Sequence, residues 1–241
     1  AERGWRGMKR FYREAAAQPD DGGGWNVSLD GKPIRTQGVQ AQLIPREALA
    51  QLMAAEWQGQ GDTIDVATFP LRDMADYAID SVATDRQAVI DKLLRYAETD
   101  TLCYRADPDE PLYRRQQEVW EPLLSDFETR EGVTMQRISG VMHRPQSAET
   151  LAKLRTRLEG LDDFTLAALE QLASLSSSLS IGLSALTPNA DVEALWRAAN
   201  LEEDWQIEQW GEDTESADRR ARRWADFQKA KSFADAVRAT T

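Results

Sequence analysis

Apolar positions alternate with polar ones at Trp25, Val27 and Leu29, and the pair Asp30-Gly31 follows before Lys32-Pro33-Ile34. A period of two predicts a half-buried strand, and Asp-Gly supplies the positive φ angles of a two-residue hairpin turn. Pro33 lacks an N–H, so its strand is expected at a sheet edge. Pro45 is expected to open a helix whose apolar side is Leu49, Leu52, Met53 and Trp57, with Gly59 and Gly61 ending it. Ile64 to Leu71 reads as a short extended segment stopped by Pro70.

From Arg72 the period changes to three and four. Met74, Tyr77, Ala78, Val82, Val89, Leu93 and Tyr96 share one helical face. Leu112–Phe127, despite Pro122, Ala148–Leu158, Phe164–Leu186, Ala190–Trp210 and Ser216–Val237 are further helical stretches. In the last, Ala221, Trp224, Phe227 and Phe233 are expected to face inward. The run Ser174–Ser180 carries Leu172, Leu175, Leu179, Ile181 and Leu183, so it reads as a helix with a small-residue face. Thr134–Val141 is too short for periodicity to choose between strand and helix. Residues 1–17 lack the apolar core of a signal peptide and read as an N-terminal helix, with a mitochondrial presequence remnant as the alternative. Gly22-Gly23-Gly24 reads as a flexible lead into the hairpin. The expected fold class is α+β, with a small mixed β/α domain at residues 1–75 and a mainly helical domain at 76–241.

Composition narrows the chemistry. The formal net charge of -12 over 241 residues repels phosphate backbones and anionic lipid, which argues against nucleic acid and membrane surfaces. No apolar run approaches the roughly 20 residues that span a bilayer, so membrane insertion is not expected. One cysteine, Cys103, allows no intrachain disulfide and is read as a small buried hydrophobe. With one histidine, His143, a Cys/His zinc site lacks ligands, and a Ser-His-Asp triad would have to use this one residue. The triple glycine has no Gly-Lys-Ser/Thr after it, and neither Gly-x-Ser-x-Gly nor His-Glu-x-x-His occurs. The pairs Asp162-Asp163 and Glu202-Glu203 lie near helix starts, where they complement the helix dipole. No catalytic residue, metal ligand or cofactor site is assigned.

The densest mixture of aromatics and acids is Asn200-Leu-Glu-Glu-Asp-Trp-Gln-Ile-Glu-Gln-Trp-Gly211. Asn200 with Glu203 is expected to form a capping box, and Gly211 to stop the helix. Such a helix has more large residues than one face can bury while its acids stay solvated. Tryptophans beside carboxylates suit a protein interface, in which aromatics anchor and charges select. Core packing of the tryptophans is the competing explanation.

Three separated stretches resemble the F-type ATP synthase assembly-chaperone family, the ATP-twelve family. They are Glu56-Trp57-Gln58-Gly59-Gln60 with Phe69-Pro70-Leu71 and Ala78-Ile79-Asp80; Tyr96-Ala-Glu-Thr-Asp-Thr-Leu-Cys-Tyr-Arg105; and Leu201-Glu202-Glu203 through Gln206 to Trp210-Gly211. With the Trp25 hairpin they follow the family order over most of the chain. Phe69 stands where the family has methionine, and Asp65-Val66 where it has a proline nearby.

The resemblance implies a non-enzymatic chaperone that binds the unassembled α subunit of the catalytic head. It would shield the surface that later meets the β subunit, until β replaces it. It implies client contact at Glu202, Glu203, Gln206 and Trp210, with Glu202 at the family's important acidic position when counted back from Trp210-Gly211. The chain is expected to act as a monomer in a bacterial cytoplasm, with the mitochondrial matrix as the alternative. Competing functions are a carboxylate-dependent hydrolase or lyase, which needs a deep pocket of convergent acids, and a helical scaffold with another client.

Overall fold

The computed structural model describes residues 7–239. The chain divides into two compact units. One comprises the chain up to Arg86 with Asp163–Ala168 and the stretch from Ser232 onward; the other comprises Gln87–Asp162 with Leu169–Lys231.

The first unit holds a three-stranded antiparallel sheet of β1 (Ala15–Pro19), β2 (Trp25–Leu29) and β3 (Lys32–Pro33), in that order. The β2–β3 hairpin forms as its sequence predicts. Asp30 and Gly31 have φ of 49° and 80°, Leu29 faces Lys32, and Pro33 lies on an edge strand. Asp30 does more than turn the chain: its carboxylate accepts the N–H groups of Arg13 and Glu14.

The expected N-terminal helix is not found among the described residues of that stretch, and residues 1–6 lie outside them. Ala15–Pro19 is instead a strand pairing with β2, from Ala15↔Leu29 to Pro19↔Trp25. Alanine's helix propensity is a weak preference that sheet pairing overrides. The glycines are not a loose lead but the β1–β2 turn, in which Gly23 N donates to Asp20 O and Asp20 N to Gly24 O.

Helix α1 (Glu47–Gln58) packs on β1 and β2 and buries Leu49, Ala50, Met53, Ala54 and Trp57. Leu52, expected in that face, is exposed. It sits about 100° around the helix from Met53, beyond the stripe. Pro45 lies just ahead of α1, whose N-cap is Arg46.

The segment before Pro70 is not extended. Val66–Thr68 forms a 3-10 turn capped by Asp65, and Pro70 opens helix α2 (Pro70–Tyr77) instead of stopping a strand. Proline's fixed φ and missing N–H suit a first helical turn. Glu56 of α1 accepts the Leu71 N–H at 2.7 Å, supplying the cap. A single π turn, Ala78–Val82, follows α2.

The second unit is helical. It takes in most of α3 (Arg86–Glu98), α4 (Pro111–Glu131), α5 (Ala148–Glu159), the later part of α6 (Asp163–Ser176), α7 (Leu179–Ala185), α8 (Val192–Ala199), α9 (Leu201–Trp210) and most of α10 (Thr214–Arg238). The short ambiguous segment contributes strand β5 (Ile138–Ser139), parallel to β4 (Tyr104–Arg105). Trp120, Leu124 and Phe127 of α4 are fully buried, and Trp120 Nε1 donates to the Ala198 carbonyl at 2.8 Å. Cys103 is fully buried, as its type suggests, and burial pushes its thiol pKa up.

The serine run is not a continuous helix with a packing face. The chain breaks between α6 and α7 at Ser177, φ 51°. Ser178 caps α7 by accepting Ile181 N–H, and donates its hydroxyl to the fully buried Asp100 at 2.6 Å. Ser180 adds its N–H and hydroxyl to the same carboxylate at 2.8 and 3.0 Å. The serines are hydrogen-bond donors to a buried acid. In α10, Phe227 and Phe233 are buried and Trp224 half-buried as expected, but Ala221 is exposed.

Candidate functional site

Helix α9 begins where α8 ends at Asn200. The anticipated capping box does not form. Asn200 Nδ2 donates backward to the Trp196 carbonyl at 2.8 Å, closing α8, and no side chain caps α9. Glu203 turns instead toward Arg223 of α10. The stop at Gly211, φ 83°, is as expected.

Only Leu201 of α9 is buried. The tryptophans divide. Trp205 is half-buried with the Arg115 guanidinium 4.6 Å from its ring centre, while Trp210 is 86% exposed. The aromatic core beneath is supplied by Trp196, Trp224 and Phe227, with Trp196 to Phe227 at 5.2 Å. Core packing therefore accounts for Trp196 and part of Trp205, and not for Trp210.

The acids of α9 are not equivalent. Glu203 lies 3.6 Å from Arg223. Asp204 pairs with Arg220. Arg115 of α4 holds both oxygens of Glu208 at 2.8 Å while covering Trp205. Glu202 faces a neutral group: it accepts from Gln116 Nε2 at 3.0 Å. Gln116 is fully buried, and its own oxygen takes the Ala106 N–H at 2.8 Å, so the amide is fixed from both ends. Burial raises the Glu202 pKa, opposed by the Gln116 bond. Glu202, Glu203, Gln206 and Trp210 thus lie on one ten-residue helix, with Glu202, Gln206 and Trp210 exposed. Arg115 and Gln116, which position the acids, were not singled out in the sequence. Nothing local in α4 marks them, because their partners lie more than 80 residues away.

No group of three or more His, Cys, Asp or Glu among the described residues could hold a metal ion. His143 Nδ1 meets the Tyr104 hydroxyl at 2.9 Å rather than a serine or carboxylate. No described helix is long and apolar enough to cross a membrane.

The family model described as ATP12 chaperone protein matches residues 9–128. Among solved structures, Atp12 from Paracoccus denitrificans superposes with a TM-score of 0.89 at 36% identity, covering 95% of this chain and 98% of that one. The chain belongs to the ATP12 chaperone family. The Atu1473 protein of Agrobacterium tumefaciens superposes with a TM-score of 0.91, again at 36% identity, over 95% of this chain and 86% of the other. A further structure with a TM-score of 0.89 is an aspartate-to-lysine variant of the Paracoccus protein. The mitochondrial atp12 protein of Schizosaccharomyces pombe is 27% identical over 216 residues, 85% of this chain and 74% of that protein. ATP12 of Saccharomyces cerevisiae, also mitochondrial, is 24% identical over 258 aligned positions, 88% and 79% of the two chains. The α+β architecture, a small sheet followed by helices, is that of the ATP12 structures. The ATP12 family match ends before α9, in α4.

Proposed function

We propose that this ATP12 chaperone assists assembly of the F-type ATP synthase catalytic head. It binds the unassembled α subunit, shields the surface destined for β, and is displaced when β arrives. An exposed intersubunit surface is an apolar patch prone to aggregate, and covering it is a binding task that needs no catalytic group. On this reading the chain acts as a monomer, without cofactor. The bacterial relatives favour a bacterial cytoplasm, and the yeast relatives a mitochondrial matrix.

The observation that carries the client site is Glu202. Its three acidic neighbours on α9 face arginines, while Glu202 is partly desolvated against a neutral amide. Glu202, exposed and without a cation among the described residues, gains from a partner that brings one. Trp210, exposed at the end of the same helix, is a large aromatic anchor beside it. Glu203 and Gln206 complete the surface. The internally paired acids have less to gain, so the client cation is assigned to Glu202.

The test is co-expression with the cognate α subunit in the absence of β. Soluble α is expected with the wild-type chain and is expected to fall about tenfold or more with Glu202→Lys, which sets two cations against each other. Trp210→Ala is expected to cost a similar factor. Wild-type yields from Glu202→Lys would remove α9 as the client surface. Insoluble α with and without the chain would remove the client itself. The hydrolase or lyase reading needs convergent carboxylates free to act, and in the pocket that Asp30 and Asp76 line both are hydrogen-bonded to internal donors.

A further inference from the structure

The buried stripe of α4 is Gln116, Trp120, Leu124 and Phe127. Three of the four are large apolar residues, and the fourth is an amide with no solvent exposure. An amide in a core position costs stability unless its hydrogen bonds are made, and a leucine or methionine would fill the same place without that cost. Gln116 makes its bonds at both ends. The Ala106 backbone N–H can only donate, so Oε1 must face it, at 2.8 Å. That turns Nε2 to the other side, where it donates to Glu202 Oε1 at 3.0 Å. The backbone just after β4 therefore sets which way the amide points, and the amide sets where the Glu202 carboxylate lies.

Helix α9 does not need this bond to stay in place. Trp120 holds the Ala198 carbonyl just ahead of it, and Arg115 holds Glu208 near its far end. Asp204 pairs with Arg220 and Glu203 lies beside Arg223, both on α10. What Gln116 alone fixes is the Glu202 side chain. A glutamate side chain is among the costliest to immobilise, and one held in place beforehand spares a partner that cost. Among the described residues no hydrogen bond or ion pair engages Glu202 Oε2.

The geometry points to Gln116 as a positioning residue for client recognition: it holds Glu202 by Oε1 in one orientation and offers Oε2 to a cation of the α subunit. This rests on Glu202 being the client contact. The amide gives that contact two properties. Its Nε2 can only donate, so it favours the ionised carboxylate, the form that a cation selects. The carboxylate is also ordered before the client arrives, so less is lost on capture.

The test is a double-mutant cycle in the full-length chain, read as pull-down of co-expressed α at graded chaperone concentration. Gln116→Met keeps the shape of the side chain and removes both hydrogen bonds; Glu202→Gln removes the charge and keeps an acceptor. Gln116→Met should lower capture roughly fivefold when Glu202 is present and not further when position 202 already carries glutamine. An equal fall in both backgrounds means that the amide only supports α9, and overturns the positioning role. Capture unchanged by Gln116→Met overturns it too, while leaving Glu202 as the client contact. Capture unchanged by Glu202→Gln overturns that contact and the positioning role together. A second measurement needs no client. In side-chain carboxyl NMR, the Glu202 titration midpoint should rise in Gln116→Met, because the donor that favours its ionised form is gone. Gln116→Glu keeps the acceptor for Ala106 N–H, loses only the donor, and should raise the midpoint as well. A midpoint that stays or falls in both variants, with circular dichroism showing them folded, overturns the proposal.

Discussion

Glu202 can be examined by its proton alone. Burial holds its carboxyl pKa above the ordinary value, against the lowering effect of Gln116. A carboxyl with a raised folded-state pKa holds its proton more tightly folded than unfolded. Its stabilising contribution is complete below the unfolded value, about 4.3, and is lost as pH rises through the folded value. Glu202→Gln removes the ionisation and keeps an acceptor for Gln116. The variant should therefore melt above wild type at neutral pH, with the difference shrinking toward about pH 4 and vanishing below it. Urea midpoints across that range check this; a pH-independent difference would trace to packing. The residue types at this position were legible, since an acid beside tryptophans stands out in any reading. What was not legible was direction. Asn200 could cap forward or close backward, and Glu203 could complete a box or reach Arg223, and only the neighbouring helices decide.

At the scale of elements, periodicity was informative wherever a face met the core in one register. The Asp30-Gly31 hairpin, α1 and α4 follow from local chemistry. Breaks fared worse, because their causes are distant. Leucine spacing carries a helix straight through Ser174–Ser180, yet the chain breaks at Ser177 so that Ser178 and Ser180 can reach Asp100, 78 and 80 positions earlier. Asp100 is fully buried, and desolvation raises its pKa against the lowering effect of those donors and of Leu102 N–H. Ser178→Ala removes the α7 cap and one donor to that carboxyl group together. A loss of about 2 kcal/mol is expected, the sum of a helix cap and a share of a buried carboxyl group's hydrogen bonding. Equilibrium urea unfolding measures it; a change below about 0.5 kcal/mol, the size of an ordinary surface substitution, would show that Ser180 and the backbone amides suffice. Strand β1 was hidden for a related reason. Three alanines favour helix locally, and only their pairing with β2 and packing under α1 make them a strand.

For the whole molecule, the order of a small β-containing part followed by helices could be read from the change in period near Arg72. That Asp163–Ala168 and the stretch from Ser232 join the first unit could not, since nothing local marks a helix whose ends belong to different units. The client contact proposed on α9 lies wholly in the second unit. A single cation-seeking contact holds the client by charge, so it weakens as salt rises and releases readily, which suits a chaperone that must yield to β. Capture of co-expressed α by the wild-type chain should therefore fall about tenfold between low and high salt, while the residual capture by Glu202→Lys should change far less. Pull-down at graded salt measures both. If the two fall in parallel, the client cation does not meet Glu202, and the retention of α comes from another surface.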